Sequence, residues 1–108
     1  TFAPLGPWMA TTTHIPDPHG LELSLSVNGE RLQQSSTAQL IFGVPYLVSY
    51  ISQFMTLLPG DVISTGTPAG VGLGFSPPRY LKAGDVVELS CDGLGSSKQH
   101  AVAWHHDY

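Results

Sequence analysis

The chain has 108 residues, 42% of them apolar and only 11% Lys, Arg, Asp or Glu, with a formal net charge of −4. The length suits one small domain with a modest core, and four strong bases in a net acidic chain exclude a binder held by nucleic-acid phosphates. No apolar run reaches the roughly 18 residues of a membrane span, so no membrane partner is expected. The charged share is under half the ~25% of ordinary soluble domains, so part of the surface is expected to lie under a partner subunit or further sequence.

The first twenty residues, TFAPLGPWMATTTHIPDPHG, hold four prolines and read as an extended, turning segment. In the next stretch Leu21, Leu23, Leu25 and Val27 alternate with Glu22, Ser24 and Ser26, the period of a half-buried strand. Asn28-Gly29 is the preferred type I′ hairpin turn, and ERLQQS returns as the second strand. Pro45 suits the first turn of a helix. Leu47, Val48, Ile51, Phe54 and Met55 then fall on one helical face, so a helix is predicted over about 45–56, ended by Pro59-Gly60, with that face in the core. LPGDVI and KAGDVVEL each place Gly-Asp before a β-branched run and predict a turn feeding a strand. Asp92-Gly93 turns the chain again, and KQHAVAW is the last strand candidate. The sum is five or six short strands and one helix: α+β, mostly β.

The candidate sites are few. ISTGTPAGVGLG, residues 63–74, holds four glycines, and such loops can cradle an anion where no Cβ intervenes. A phosphate-binding loop would need Lys-Ser/Thr and a helix after its last glycine, but Gly74 is followed by Phe75-Ser76-Pro77-Pro78. Thr65-Gly66-Thr67-Pro68 remains open to two readings: a structural turn, or a turn binding a carboxylate through a hydroxyl and an N–H. His14 and His19 flank Asp17, and His105, His106 and Asp107 are adjacent, but a metal site converges three or four ligands, and neither group is read as one. Asp61 and Asp85 sit in Gly-Asp turns and read as turn-makers. Glu22, Glu30 and Glu88 read as solvent-facing strand residues. Cys91, the only cysteine, is expected to be buried and unpaired, which favours a reducing, cytoplasmic setting. No Gly-x-Ser-x-Gly nucleophile elbow occurs.

Taken in order, TFAPLGPW, the DP-to-VNGE stretch, QSSTAQLIFGVPYLVSYISQFMTLLPGDVISTGTPAGVG and PPRYLKAGDVVEL resemble the C-terminal half of the fumarylacetoacetate hydrolase family. The resemblance runs from Thr1 to about Gly95. It is nearest to the bacterial branch of 2-hydroxyhepta-2,4-diene-1,7-dioate isomerases, acylpyruvate hydrolases and ureidoglycolate lyases. It implies a mixed β-sheet or β-roll, a homodimer, and a divalent ion held by a Glu-x-Glu pair and an Asp. That ion would be Mg²⁺, or Mn²⁺ or Ca²⁺. It also implies a 2-oxo acid substrate, or its enol, whose enolate the metal stabilises as a C–C bond breaks or a proton moves. Thr67 would contact the substrate carboxylate, with Gly66 beside it. Pro4, Leu5 and Gly6 would line the same pocket.

The resemblance also implies what is missing. The family's lysine, the Asp before the Thr-Phe pair and the three metal carboxylates all lie upstream of Thr1, and Glu22, Glu30 and Glu88 do not match the Glu-x-Glu spacing. Residues 1–108 are therefore expected to be the C-terminal portion of a catalytic domain, with no catalytic residue or metal ligand of their own and no activity alone. The alternative is a metal-free, non-catalytic β-rich binding or structural module. The 108-residue chain is accordingly predicted to bind no divalent ion tightly, since Mg²⁺ wants an octahedron of oxygen ligands that includes carboxylates. Titration calorimetry is expected to show no saturable heat with Mg²⁺ or Mn²⁺, and micromolar binding would contradict this.

Overall fold

The computed structural model describes residues 3–104. Thr1 and the His105, His106 and Asp107 cluster lie outside the described residues.

Four strands form one antiparallel sheet in the order β2-β1-β3-β4: β1 Glu22–Val27, β2 Glu30–Ser36, β3 Val86–Cys91 and β4 Gly95–His100. The hairpin β1–β2 closes as its sequence dictates. Asn28 and Gly29 take φ of 51° and 82°, the paired positive angles of a type I′ turn. Asn28 also ties the turn to β3. Its side chain donates to Asp85 Oδ1 at 2.9 Å and accepts from the Val86 N–H at 2.9 Å. Asn28 and the Lys82 N–H both favour the charged form of Asp85 and hold its pKa below the ordinary carboxylate range.

The alternation in β1 sorts the sheet into two faces. Leu23, Leu25 and Val27 stand opposite Cys91, Leu89 and Val87, while Ser24 and Ser26 stand opposite Ser90 and Glu88. On the polar face Ser24 Oγ meets Ser90 Oγ at 3.0 Å, and Lys98 pairs with Glu88 at 2.9 Å. The register slips once. Leu25 pairs with Gln33 but Ser26 pairs with Arg31, so Leu32 is the extra residue of a bulge in β2.

Both Gly-Asp turns take one form. Gly60 and Gly84 have φ of 98° and 93°. Asp61 and Asp85 each accept, through the side chain at 2.8 Å, from the N–H three residues back. The second turn feeds β3 as predicted. The first does not feed a strand: residues 61–70 join no ladder, since a β-branched run alone supplies no neighbour to pair with. The last strand begins at Gly95 and ends at His100, earlier than KQHAVAW predicts, because the tight turn at Asp92-Gly93 lets pairing start at once.

One helix, α1, spans Val44–Ser52, with proline in its first turn as predicted. It stops short of the predicted 56. Phe54 and Met55 N–H both turn onto the Ile51 carbonyl, so the chain leaves the helix before Pro59 requires it. Gly43 supplies no side-chain cap, and His19 does that work. Its Nε2 accepts from the Val44 N–H at 3.0 Å, and Asp17 Oδ1 lies 3.3 Å from its Nδ1. An accepting Nε2 carries no proton, so the ring proton sits on Nδ1, toward Asp17. His14 bonds instead to Thr11.

The helical face predicted as core is only partly covered: Leu47 and Ile51 are half-buried, while Val48, Phe54 and Met55 are exposed. Beside it Phe42 stacks on Tyr46 and Tyr46 on Tyr50, with Phe54 tilted against Tyr50, yet these rings remain 52%, 52%, 49% and 70% exposed. No described residue is fully buried, and Cys91, expected inside, is half-buried, with partial burial raising its thiol pKa. The accessible surface is 8746 Å², where a compact chain of this mass exposes roughly 5,800 Å². The radius of gyration is 15.9 Å, against about 13 Å for a compact domain of this length. Apolar surface on this scale marks contact faces. The isolated chain is predicted to associate at micromolar concentration in light scattering, and a monodisperse species of 11.5 kDa would contradict that.

Candidate functional site

The glycine-rich loop is laid onto β2 by three contacts, each of which needs a particular residue. Gly70 sits at φ 103°, and a Cβ there would lie 1.9 Å from the carbonyl oxygen of Leu32, the bulge residue. Gly72 comes equally close to the Arg79 carbonyl, where a Cβ would lie 1.9 Å away, and its own carbonyl accepts from the Arg79 N–H at 2.9 Å. Arg79 then forks onto Glu30 at the start of β2, at 2.9 and 2.6 Å, and lies over the Phe75 ring. That two-pronged bond lowers the Glu30 pKa and raises that of Arg79. The third contact is Gln33. Its Nε2 donates to Thr67 Oγ1 at 2.9 Å and to the Pro68 carbonyl at 2.8 Å.

Thus held, Thr65-Gly66-Thr67-Pro68 forms one wall of an open pocket of about 370 Å³. Leu40, Ile41, Phe42 and Leu47 supply apolar walls, and Leu23 and Ser35 come from the sheet. Thr37 also lines the pocket, but its hydroxyl accepts from the Leu21 N–H at 2.9 Å. Gly66 sits at φ 105°, a conformation that favours glycine. The N–H groups of Gly66 and Thr67 donate to no protein acceptor among the described residues. Among the described residues, no charged side chain lines the pocket. What it offers a ligand is therefore the hydroxyls of Ser35, Ser36, Thr65 and Thr67, the Gln39 amide, backbone donors and an apolar wall, a set that suits a small, partly apolar group with hydrogen-bonding ends.

The structure thus brings Gly66 and Thr67 together at one pocket. Pro4, Leu5 and Gly6 are exposed and do not line it. Gln33 and the Leu40–Phe42 wall carry no sequence signal of a site: Gln33 reads as one polar residue of a strand, and the wall as the approach to a helix. The described residues also offer no group of three or more His, Cys, Asp or Glu able to hold a metal ion. Asp17, the one carboxylate beside a histidine in the proline-rich segment, is engaged with His19.

A model of the family described as fumarylacetoacetate (FAA) hydrolase, C-terminal, matches residues 1–102. Among curated proteins, the chain is 49% identical over 107 residues to 2,4-didehydro-3-deoxy-L-rhamnonate hydrolase of Sphingomonas sp. (strain SKA58), covering 98% of this chain and 38% of that one. Among solved structures, it is similar to maleylpyruvate hydrolase from Sphingobium sp. SYK-6 in complex with manganese (II) ion and pyruvate. That match has a TM-score of 0.80 and 36% identity, over 90% of this chain and 34% of the other. It is also similar to 2-hydroxyhepta-2,4-diene-1,7-dioate isomerase from Mycobacterium marinum, with a TM-score of 0.76 and 43% identity, over 90% of this chain and 34% of that one. The chain thus spans little more than a third of the length of these relatives.

The seating of the loop predicts a contrast between two glycines. Gly70→Ala forces a Cβ into the Leu32 carbonyl at an unfavourable φ and is expected to cost more than about 1 kcal/mol. Gly74→Ala meets nothing closer than Val71 Cγ2 at 3.9 Å and is expected to be near neutral. Denaturant midpoints of the two variants check this, and equal midpoints would contradict it.

Proposed function

The chain belongs to the fumarylacetoacetate hydrolase family, and on that premise we propose that it is the C-terminal portion of the catalytic domain of a 2-oxo acid hydrolase or isomerase. The reaction class is C–C bond hydrolysis, decarboxylation or keto–enol isomerisation in small-molecule catabolism. The observation that carries this reading is the Thr67 hydroxyl, presented beside Gly66 on an uncharged, apolar-walled pocket. The similarity to a hydrolase solved with pyruvate supports a 2-oxo acid as ligand.

In this reading Thr67 donates its hydroxyl proton to a carboxylate oxygen of the substrate, and the N–H of Gly66 donates beside it. Together they orient the 2-oxo acid by its carboxylate end, while Leu40, Phe42 and Leu47 exclude water from its carbon chain. Neutral donors alone do not repay the desolvation of a carboxylate as a charge partner does. Complementary charge therefore comes from outside the chain. We assign it to a divalent ion, Mg²⁺ with Mn²⁺ or Ca²⁺ as substitutes, held by carboxylates outside these residues. The 108-residue chain by itself is then inactive. A homodimer in the cytoplasm completes the proposal, and the exposed aromatic face of α1 supports burial against further protein.

Thr67→Val tests the reading in the complete protein. Valine keeps the branching of threonine and removes one hydrogen bond to a charged group, worth about 1.5–3 kcal/mol. The expected drop in kcat/KM is roughly 10- to 100-fold, with the denaturant midpoint little changed. Unchanged kinetics with a lowered midpoint would make the loop a structural turn and favour a non-catalytic module.

A further inference from the structure

We infer that Gln33 is a positioning residue that fixes the direction of the Thr67 hydroxyl, so that the pocket presents a donor at that point and accepts a carboxylate there. The inference rests on the reading of Thr67 given above and goes beyond it. It starts from the Pro68 carbonyl, which can only accept. That carbonyl lies 2.8 Å from one end of the Gln33 amide, so the NH₂ faces it and the amide orientation is settled. The same nitrogen lies 2.9 Å from Thr67 Oγ1 and has a second proton to give. An amide nitrogen offers no lone pair, so Thr67 must accept there. Its own proton points elsewhere.

No other protein partner engages Thr67 Oγ1 among the described residues. The Thr67 proton is therefore left for whatever occupies the pocket. A threonine hydroxyl otherwise rotates to suit its surroundings and serves as donor or acceptor alike. With Gln33 in place one lone pair is taken and the proton is turned away from Gln33, which biases the hydroxyl toward donating into the pocket. A carboxylate, which only accepts, uses that proton; a primary amide presenting its NH₂ at the same point leaves the proton unused and is left with the one remaining lone pair. Gln33 reaches this position because of the bulge at Leu32, which sets its register opposite Leu25, and because Gly70 leaves room for it. A Cβ on Gly70 would come within 3.1 Å of Gln33 Cγ.

A double-mutant cycle on the complete protein tests this, with pyruvate as the titrated probe and Mn²⁺ present throughout. Gln33→Met keeps the length of the side chain and removes the amide. It is expected to weaken pyruvate binding about 3- to 10-fold in the wild-type background and by less than about twofold in the Thr67→Val background, because coupled residues are not additive. An equal loss in both backgrounds means that Gln33 only braces the turn, which overturns the inference while leaving the role of Thr67 intact. A Thr67→Val protein that binds pyruvate as the wild type does overturns the reading of Thr67 itself. Gln33→Glu provides a second variant that keeps the shape and replaces the donor with an acceptor. Its preference for pyruvate over pyruvamide is expected to fall at least about tenfold and to be restored by adding Thr67→Val. A fall that persists with Thr67→Val is charge repulsion alone and contradicts the inference.

Discussion

The candidate site depends on the approach of one backbone to another. At Gly70 the loop comes so near the Leu32 carbonyl that no side chain fits between them. The bulge in β2 places that carbonyl and the neighbouring Gln33 side by side. With the backbone seated, Gln33 reaches Thr67 and Pro68, and Arg79 reaches Glu30. These polar contacts are individually modest and in part solvent-exposed, so they select the loop's position more than they stabilise the fold. The loop has no ladder partner of its own, so these contacts are what give the Thr65–Pro68 turn a defined place above the apolar face of the sheet.

What was legible in the sequence was local chemistry. Asn28-Gly29 dictates its turn through backbone angles that few other residues adopt. The two Gly-Asp turns announce themselves by a glycine at positive φ and an aspartate that accepts from the N–H three residues back. Pro45 marks the start of α1. The end of α1 was not legible, because leaving the helix after Ser52 turns on the Ile51 carbonyl and not on Pro59. The strand expected after Asp61 fails for a related reason: Val62 and Ile63 have the propensity, but a strand also needs a neighbour.

The site divides in the same way. Thr67 and Gly66 stand out as a hydroxyl and a glycine on a tight turn. Gln33 does not, since its importance comes from a partner 34 residues away and from a one-residue slip in register. His19 is similar. It reads as one of a loose pair of histidines around Asp17, and it caps α1 from 25 residues upstream. The low charge content did give advance notice of the exposed surface. The Phe42, Tyr46, Tyr50 and Phe54 ladder has the spacing of a core stripe and is left exposed. The chain spans 38% of the rhamnonate hydrolase it resembles, and the proposed enzyme places the covering surface and the charged half of the site in further protein.

The central claim is that the Thr67 turn holds a carboxylate through a hydroxyl whose direction Gln33 fixes. A crystal structure of the complete protein with pyruvate and Mn²⁺ addresses it most directly. The account predicts a pyruvate carboxylate oxygen about 2.6–3.0 Å from Thr67 Oγ1, with Gln33 Nε2 still bridging Thr67 and the Pro68 carbonyl. Pyruvate bound with its carboxylate away from Thr67, or a Gln33 amide turned off the loop while the ligand is in place, would contradict it.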